Sequence, residues 1–305
     1  MVTACNRLLK TNDKFIVFST IKKLQTKIID EDFTLEDFLK KKKIQFHILK
    51  KIDDLNKKKY SNIFSKNLNP FGLSLSFEFI FKEKQINLFQ KLYNLHGSFL
   101  PEMKGGGGWT WSMLMNKYSS GNSIHEINEL IDAGKIICRE RYYFPTKYRK
   151  SINLMNTYGK YKQNLFLNSF LKNLRQNKRF KKVLQNNNEA ILWPKLDTYK
   201  DAEINWNWSI DEIILFIRAF GKPYRGAWSK ISRNKIFIFE VSKKKFSHKF
   251  HPFQYGIIIN ISKKNIHVAC KEGILIITNY EFEKKTNKIN SFIGKKFTNF
   301  KSSLK

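Results

Sequence analysis

Asn94 and His96 stand two residues apart in Tyr93-Asn94-Leu95-His96-Gly97-Ser98-Phe99-Leu100-Pro101, and Asp132 follows in Leu130-Ile131-Asp132-Ala133-Gly134. On a strand, alternate side chains leave the same face, so an amide donor and an imidazole would lie side by side. An amide N–H can hold the oxyanion of a tetrahedral intermediate. An imidazole with a reference pKa of ~6.5 exchanges protons at neutral pH. A carboxylate can orient that imidazole or accept the proton of an attacking amine. Asn94, His96 and Asp132 are therefore candidate catalytic residues for acyl transfer. His125, His248, His251 and His267 are scattered without metal-ligand spacing and read as structural. The run Gly105-Gly106-Gly107-Gly108 is neither GxGxxG nor a P-loop. It reads as a loop opening the helix that follows, or as backbone coming close to a neighbour or ligand.

The elements that must position these residues show in the alternation of apolar runs. Strands are predicted at Phe15 to Phe18, Gln45 to Leu49, Pro70 to Phe77 and Leu92 to His96. Between them lie a helix opened by a Thr34–Asp37 capping box and another through Ile86 to Phe89. That order implies an open parallel sheet with right-handed crossovers. Asn94 and His96 then fall at a strand's carboxyl end, where open α/β sheets place ligands. Ser123 to Ile127 reads as a further strand, and Leu130 to Gly134 as a tight turn from which Asp132 could reach back. A helix is predicted from about Ile152 to Leu184, with Leu167, Phe170, Leu171 and Leu174 as its core stripe. Beyond Ala202 come one helix, Asp211 to Phe220, and short strands at Lys235 to Val241, Tyr255 to Ile261, Ile266 to Cys270 and Ile274 to Thr278. Short strands at close spacing suggest a small β-barrel.

Composition narrows the class. With 305 residues, 42% of them hydrophobic, the chain can bury a core over two domains. No apolar run approaches the ~20 residues of a membrane helix, and Met1 to Arg7 lacks a signal peptide's order. Cys5, Cys138 and Cys270 are too dispersed for a disulfide framework. The expectation is a soluble, reduced, cytoplasmic protein. A net charge of +32, from 57 Lys and Arg against 25 Asp and Glu, suits a polyanion partner. The accompanying wealth of Asn, Ile and Phe favours an A- and T-rich coding sequence as the main source of that charge.

In these motifs the chain resembles the formyltransferase family, which uses 10-formyltetrahydrofolate. Members carry Asn-x-His, a Ser-Leu-Leu-Pro-type turn, a basic residue with Gly, and later an Ile/Leu-Asp-x-Gly turn. Asn94 to Pro101 and Leu130 to Gly134 match in order and spacing, and Gly121-Asn122-Ser123-Ile124-His125 is similar to the family's Gly-x-Thr-Ile-His strand. Asp201 to Ser209, Pro223 to Ala227 and Gly256 to Ile258 resemble the join to, and strands of, the family's C-terminal domain. The resemblance covers roughly residues 65 to 280. Lys104-Gly105 stands for the usual basic residue and Gly, the glycine run replaces the segment after it, and Leu8 to Leu68 matches weakly.

The resemblance implies an α/β protein with a Rossmann-like open, mostly parallel catalytic sheet over residues 1–196, its first strand missing or trimmed. A linker and small open β-barrel (OB-like) would occupy 197–295, and a basic tail 296–305. It further implies that Asn94 holds the formyl oxygen, His96 assists at the tetrahedral intermediate, and Asp132 receives or relays the amine's proton. Phe77, Phe79 and Ile80 would lie on the loop whose backbone binds the pterin, with Leu130 and Ile131 closing the other side. The formyl donor would be 10-formyltetrahydrofolate, without a metal. The acceptor would be a small-molecule amine such as a nucleotide-linked amino sugar, with initiator tRNA as the alternative. Hydrolysis of the formyl cofactor and a non-catalytic RNA-binding role come after these. No membrane partner is expected, and the oligomeric state is left open.

Overall fold

The computed structural model describes residues 1–298 except 12, 29–31, 66–69 and 285–288, so most of the expected basic tail lies outside the described residues. The chain divides into two compact units, one of residues 1–105, 121–142 and 160–192, the other of 106–120, 143–159 and 193 onward. In chain order the elements are α1 (Val2–Leu9), β1 (Val17–Ser19), α2 (Ile21–Leu24), α3 (Leu35–Lys41), β2 (Phe46–Ile48), β3 (Phe71–Leu75), α4 (Glu83–Ile86) and β4 (Lys91–His96). There follow β5 (Lys104–Gly105), α5 (Gly108–Leu114), β6 (Ser119–Glu126), β7 (Ile136–Tyr143), α6 (Ile152–Arg175), β8 (Leu192–Trp193), α7 (Thr198–Asp201) and α8 (Ile210–Ala219). The last strands are β9 (Ala227–Ile231), β10 (Asn234–Lys244), β11 (Ile258–Ser262), β12 (Asn265–Cys270) and β13 (Gly273–Phe282).

In the first unit β1 and β2 pair in parallel, with Phe18 opposite His47. A second sheet runs in the order β3-β4-β6-β7. Its β3–β4 pairing is parallel, whereas β6 runs antiparallel to β4. The fold is thus mixed α/β with parallel-containing sheets, less uniformly parallel than the alternation of strand and helix implied. The Tyr93–Leu95 face of β4 meets Ile124, Ile137 and the α6 residues Phe166, Leu167, Phe170 and Leu171 in one core cluster. Each of these side chains adds roughly 1.5–3 kcal/mol on burial, and the predicted helical stripe is core. Asn94 and His96, alternating with these residues, necessarily leave the opposite face.

Helix boundaries follow local chemistry. The Thr34 box forms as expected, with Thr34 Oγ1 accepting from Asp37 N–H at 3.2 Å and Asp37 Oδ2 accepting from Thr34 N–H at 2.9 Å. Helix α6 ends at Arg175, short of the predicted Leu184. Lys178 N–H donates to Asn173 O at 3.0 Å and Asn177 N–H to Leu174 O at 3.1 Å, with Asn177 at φ 52°. That pair of bonds around a left-handed Asn is a Schellman stop. The helix expected through Phe89 is only the single turn α4, after which the main chain tightens to three-residue bonds, Leu88 N–H to Gln85 O at 3.3 Å and Phe89 N–H to Ile86 O at 3.1 Å.

In the second unit the five strands order as β11-β12-β13-β10-β9, with antiparallel pairing throughout. The small barrel expected from the spacing is an open antiparallel sheet: among the described residues β11 and β9 do not pair with each other. Instead residues 294–298 reach both edges. Gly294 N–H and Phe297 N–H donate to Ile258 O and Gly256 O at 2.8 and 2.9 Å, and Thr298 N–H donates to Lys230 O at 2.9 Å. Phe297 anchors the segment by stacking on Trp206, ring centroids 4.8 Å apart and planes 9° apart, both side chains fully buried. Helix α8, opened by a Ser209–Glu212 box, buries Ile210, Ile213, Ile214, Phe216 and Ile217. No described helix is long and apolar enough to cross a membrane. Phe297→Ala should cost about 3–5 kcal/mol, the range for emptying a buried aromatic site. Urea unfolding checks this, and a loss below 1 kcal/mol would mean the segment is not held by that ring.

Candidate active site

The β4–β6 register sets Asn94 opposite His125 and His96 opposite Ser123. Ser123 pins the loop after β4 by donating to Ser98 O at 2.9 Å and accepting from Leu100 N–H at 3.0 Å. Arg139 donates to Leu100 O, and its guanidinium lies 4.5 Å above the Phe99 ring. Arg141 covers that ring at 3.9 Å and pairs with Glu102. Held in this way, the loop carries Met103 O to 2.7 Å from His96 Nε2, with Ser98 Oγ at 2.8 Å from the same nitrogen.

Asp132 enters from the turn after β6. Its Oδ2 lies 3.4 Å from His96 Nδ1 and accepts from Gly105 N–H at 2.9 Å. Its Oδ1 lies 3.3 Å from His125 Nε2 and 3.4 Å from Asn94 Nδ2. His125 Nδ1 donates to Glu126 O at 2.7 Å, leaving Nε2 to accept from Asn94 Nδ2 at 3.1 Å. Both imidazoles thus spend one nitrogen on a main-chain carbonyl and turn the other toward the carboxylate. The group is secluded: side chains of His96, His125 and Asp132 are 10%, 3% and 13% exposed.

Burial acts to raise the Asp132 carboxyl, but His125, His96 and the Gly105 N–H outweigh it and hold the group at about 2. Burial lowers the His96 imidazole, more than Asp132 and Met103 O raise it. At neutral pH the resting pair is an ionised carboxylate beside a neutral imidazole.

The structure brings Asn94, His96 and Asp132 together as the spacing suggested. It also places His125, read from the sequence as structural, in contact with both Asn94 and Asp132. The signal was the register: in an antiparallel pair, the residue across from Asn94 shares its face. Met103 and Gly105 act through main-chain atoms, which residue type does not reveal. Two glycines are required by geometry. Gly105 offers its N–H to Asp132 at φ 87°. A Cβ at Gly134 would lie 1.8 Å from Glu126 O. Of the other glycines in the run, Gly106 comes close to Lys195 and Gly107 is the left-handed cap of α5.

Phe77 and Phe79 turn inward, rings 5.4 Å apart, and pack on the cluster of Leu49, Leu55, Tyr60 and Leu92. Ile80, Leu130 and Ile131 are instead 60%, 70% and 47% exposed. Glu83 N–H donates to Glu129 Oε1 at 3.2 Å, stitching the loop after β3 to the turn before Asp132. Glu78 accepts from Thr20, tying that loop to the end of β1. Among the described residues no group of three His, Cys, Asp or Glu is placed to hold a metal ion.

Residues 198–296 match the family model described as formyl transferase, C-terminal domain. The methionyl-tRNA formyltransferase of Clostridium beijerinckii is 28% identical over 194 residues, 62% of this chain and 58% of that protein. These matches support a formyltransferase family for the chain. A bifunctional polymyxin resistance protein ArnA from Wigglesworthia glossinidia brevipalpis is also 28% identical, over 62% of this chain and 28% of its own length. The chain spans between 28% and 62% of the length of the first of its curated relatives. A crystal structure titled as an N-formyltransferase from Helicobacter canadensis, with folinic acid and dTDP-3-aminofucose, shares the fold at a TM-score of 0.67. It is 20% identical, and the match covers 92% of this chain and 95% of that one.

Both titrating groups of this site work against folding in acid. His96 binds a proton less readily folded than unfolded, so stability declines as pH falls below the unfolded value of 6.5. Asp132 contributes stability above its unfolded 3.8, and that contribution is lost as pH falls toward about 2. Urea unfolding should show stability decreasing from pH 7.5 to 5, and His96→Gln should flatten that slope. An unchanged slope in the variant would place the responsible group elsewhere.

Proposed function

We propose that this chain transfers the formyl group of 10-formyltetrahydrofolate to the primary amine of a small metabolite, such as a nucleotide-linked amino sugar. The observation that carries the reading is the ionised Asp132 set against His96 and His125 beside the Asn94 amide. When bound, the folate supplies the formyl carbon as an electrophile. Asn94 has one N–H committed to His125 at 3.1 Å and the other in a long contact to Asp132 at 3.4 Å. The second is free to turn toward a carbonyl oxygen gaining negative charge, as an oxyanion donor does. An attacking amine must shed a proton. A carboxyl held at about 2 keeps none, so the proton goes to His96 Nδ1 and Asp132 stabilises the imidazolium across 3.4 Å. In this scheme Asp132 relays the proton rather than retaining it.

The residues offered for the folate fit a flat, polar-edged ring system. Ile80, Leu130 and Ile131 supply exposed apolar walls on two stitched loops. Phe77 and Phe79, with rings turned to the core, are left to contribute through their main chain. The Helicobacter canadensis protein, alike in fold, was solved with folinic acid and an amino-sugar nucleotide, which supports the sugar-type acceptor.

A second reading, formylation of initiator methionyl-tRNA, draws on the Clostridium beijerinckii relative and on cations laid over aromatic rings of the C-terminal sheet. Lys235 Nζ is 3.9 Å from the Trp228 ring centroid and Arg225 is 4.5 Å from that of Phe237. Such pairs suit stacking and phosphate contact.

The test is to supply folate labelled in the formyl carbon together with RNA and small-molecule fractions of a cell extract. Label in a small amine supports the first reading, label in RNA the second, and label released as formate would replace both with hydrolysis. Asn94→Ala should lower turnover roughly 10²–10³-fold. Asp132→Asn should also be severely impaired while still binding folinic acid. Wild-type rates in both variants would place the chemistry elsewhere.

A further inference from the structure

The segment leaving α6 crosses both loops of the candidate site. Val183 bridges Ile136, with Ile136 N–H to Val183 O at 2.8 Å and Val183 N–H to Ile136 O at 2.9 Å. Gln185 Nε2 then donates to Asp132 O at 2.8 Å and to Gly134 O at 2.7 Å. Farther along, Ile191 N–H donates to Pro101 O at 3.4 Å and Ile191 O accepts from Lys104 N–H at 3.0 Å. One strap therefore holds the turn that presents Asp132 and the loop that carries Met103 and Gly105.

Two carbonyls within reach of one nitrogen fix the orientation of the Gln185 amide, because the flipped amide would point Oε1 at both. That orientation leaves Oε1 buried with no hydrogen-bond partner among the described residues. An unmet buried acceptor is a cost, so the position is occupied for its N–H pair. The turn it holds is not a relaxed one. Asp132 sits at φ 49°, a left-handed conformation that residues bearing a Cβ enter at a penalty.

We propose that Gln185 is a positioning residue, locking the 132–134 turn so that the Asp132 carboxylate stays between His96 and His125. The consequence for catalysis rests on the function proposed above, whereas the lock itself is tested without it. Gln185→Met fills a similar volume and donates nothing. In the full chain, hydrogen–deuterium exchange of residues 130–134 should quicken at least ~10-fold, as local opening becomes easier, while exchange in β4 and α6 stays put. Turnover should fall roughly 10²-fold, the effect of a misplaced reacting group, with folinic acid binding retained. Adding Asp132→Asn to Gln185→Met should cost only ~3-fold more, since groups acting as a unit are not additive. Gln185→Asn, which keeps the amide on a shorter arm, should fall between, and it provides the same comparison should the methionine variant not fold. Unchanged exchange in the turn, or losses that multiply, would overturn the lock. A wild-type protein that transfers no formyl group, yet whose turn responds in exchange, would remove the functional reading and leave the lock standing.

Discussion

A carboxylate buried between two imidazoles is the constraint around which the catalytic unit is arranged. Charge in a low-dielectric interior is expensive unless neighbours compensate it, and Asp132 is compensated by a main-chain N–H and by the rings it faces. Those rings are aimed by their far nitrogens. Met103 O and Glu126 O engage them, and that requires a tightly held loop after β4 and an unbroken end to β6. Glycine at 134, the left-handed backbone at 132 and the strap after α6 all follow from bringing one aspartate into that gap.

The opposite face of the same strands shows why this is affordable. Tyr93, Leu95 and Ile124 interleave with Asn94, His96 and His125, so each polar side chain has apolar neighbours in sequence that are locked against α6. Strand periodicity divides the work: one face supplies rigidity and the other supplies chemistry. The Phe77–Phe79–Phe81 cluster does the same for the loop after β3, spending large side chains inward so that main chain and small apolar groups remain on the outside.

How much of this was legible in the sequence depended on range. Period-2 and period-3.6 patterns, the Thr34 box and the α6 stripe are local signals and were read correctly. Asn94, His96 and Asp132 are legible as candidates because their types and spacing are uncommon on a core face and because the family resemblance links the distant turn to the strand. The contacts of His125 are not legible in that way, because they come from cross-strand register, which residue spacing within one strand does not encode. The stop at Arg175 rested on a left-handed Asn where a Gly is the usual mark. The barrel is expected from strand spacing and from the family resemblance, yet how far a sheet curls round depends on whether its first and last strands meet, a long-range property that spacing leaves open.

The segment at 294–298 places the protection of the C-terminal sheet in residues outside its strands. Strand edges carry unpaired main-chain groups that invite pairing with other chains. Here the residues that occupy both edges, and the ring that fills the space beside Trp206, are made after all five strands. A chain cut before residue 294 would therefore carry a sheet with both edges bare, an adhesive form that the segment turns into a self-contained one.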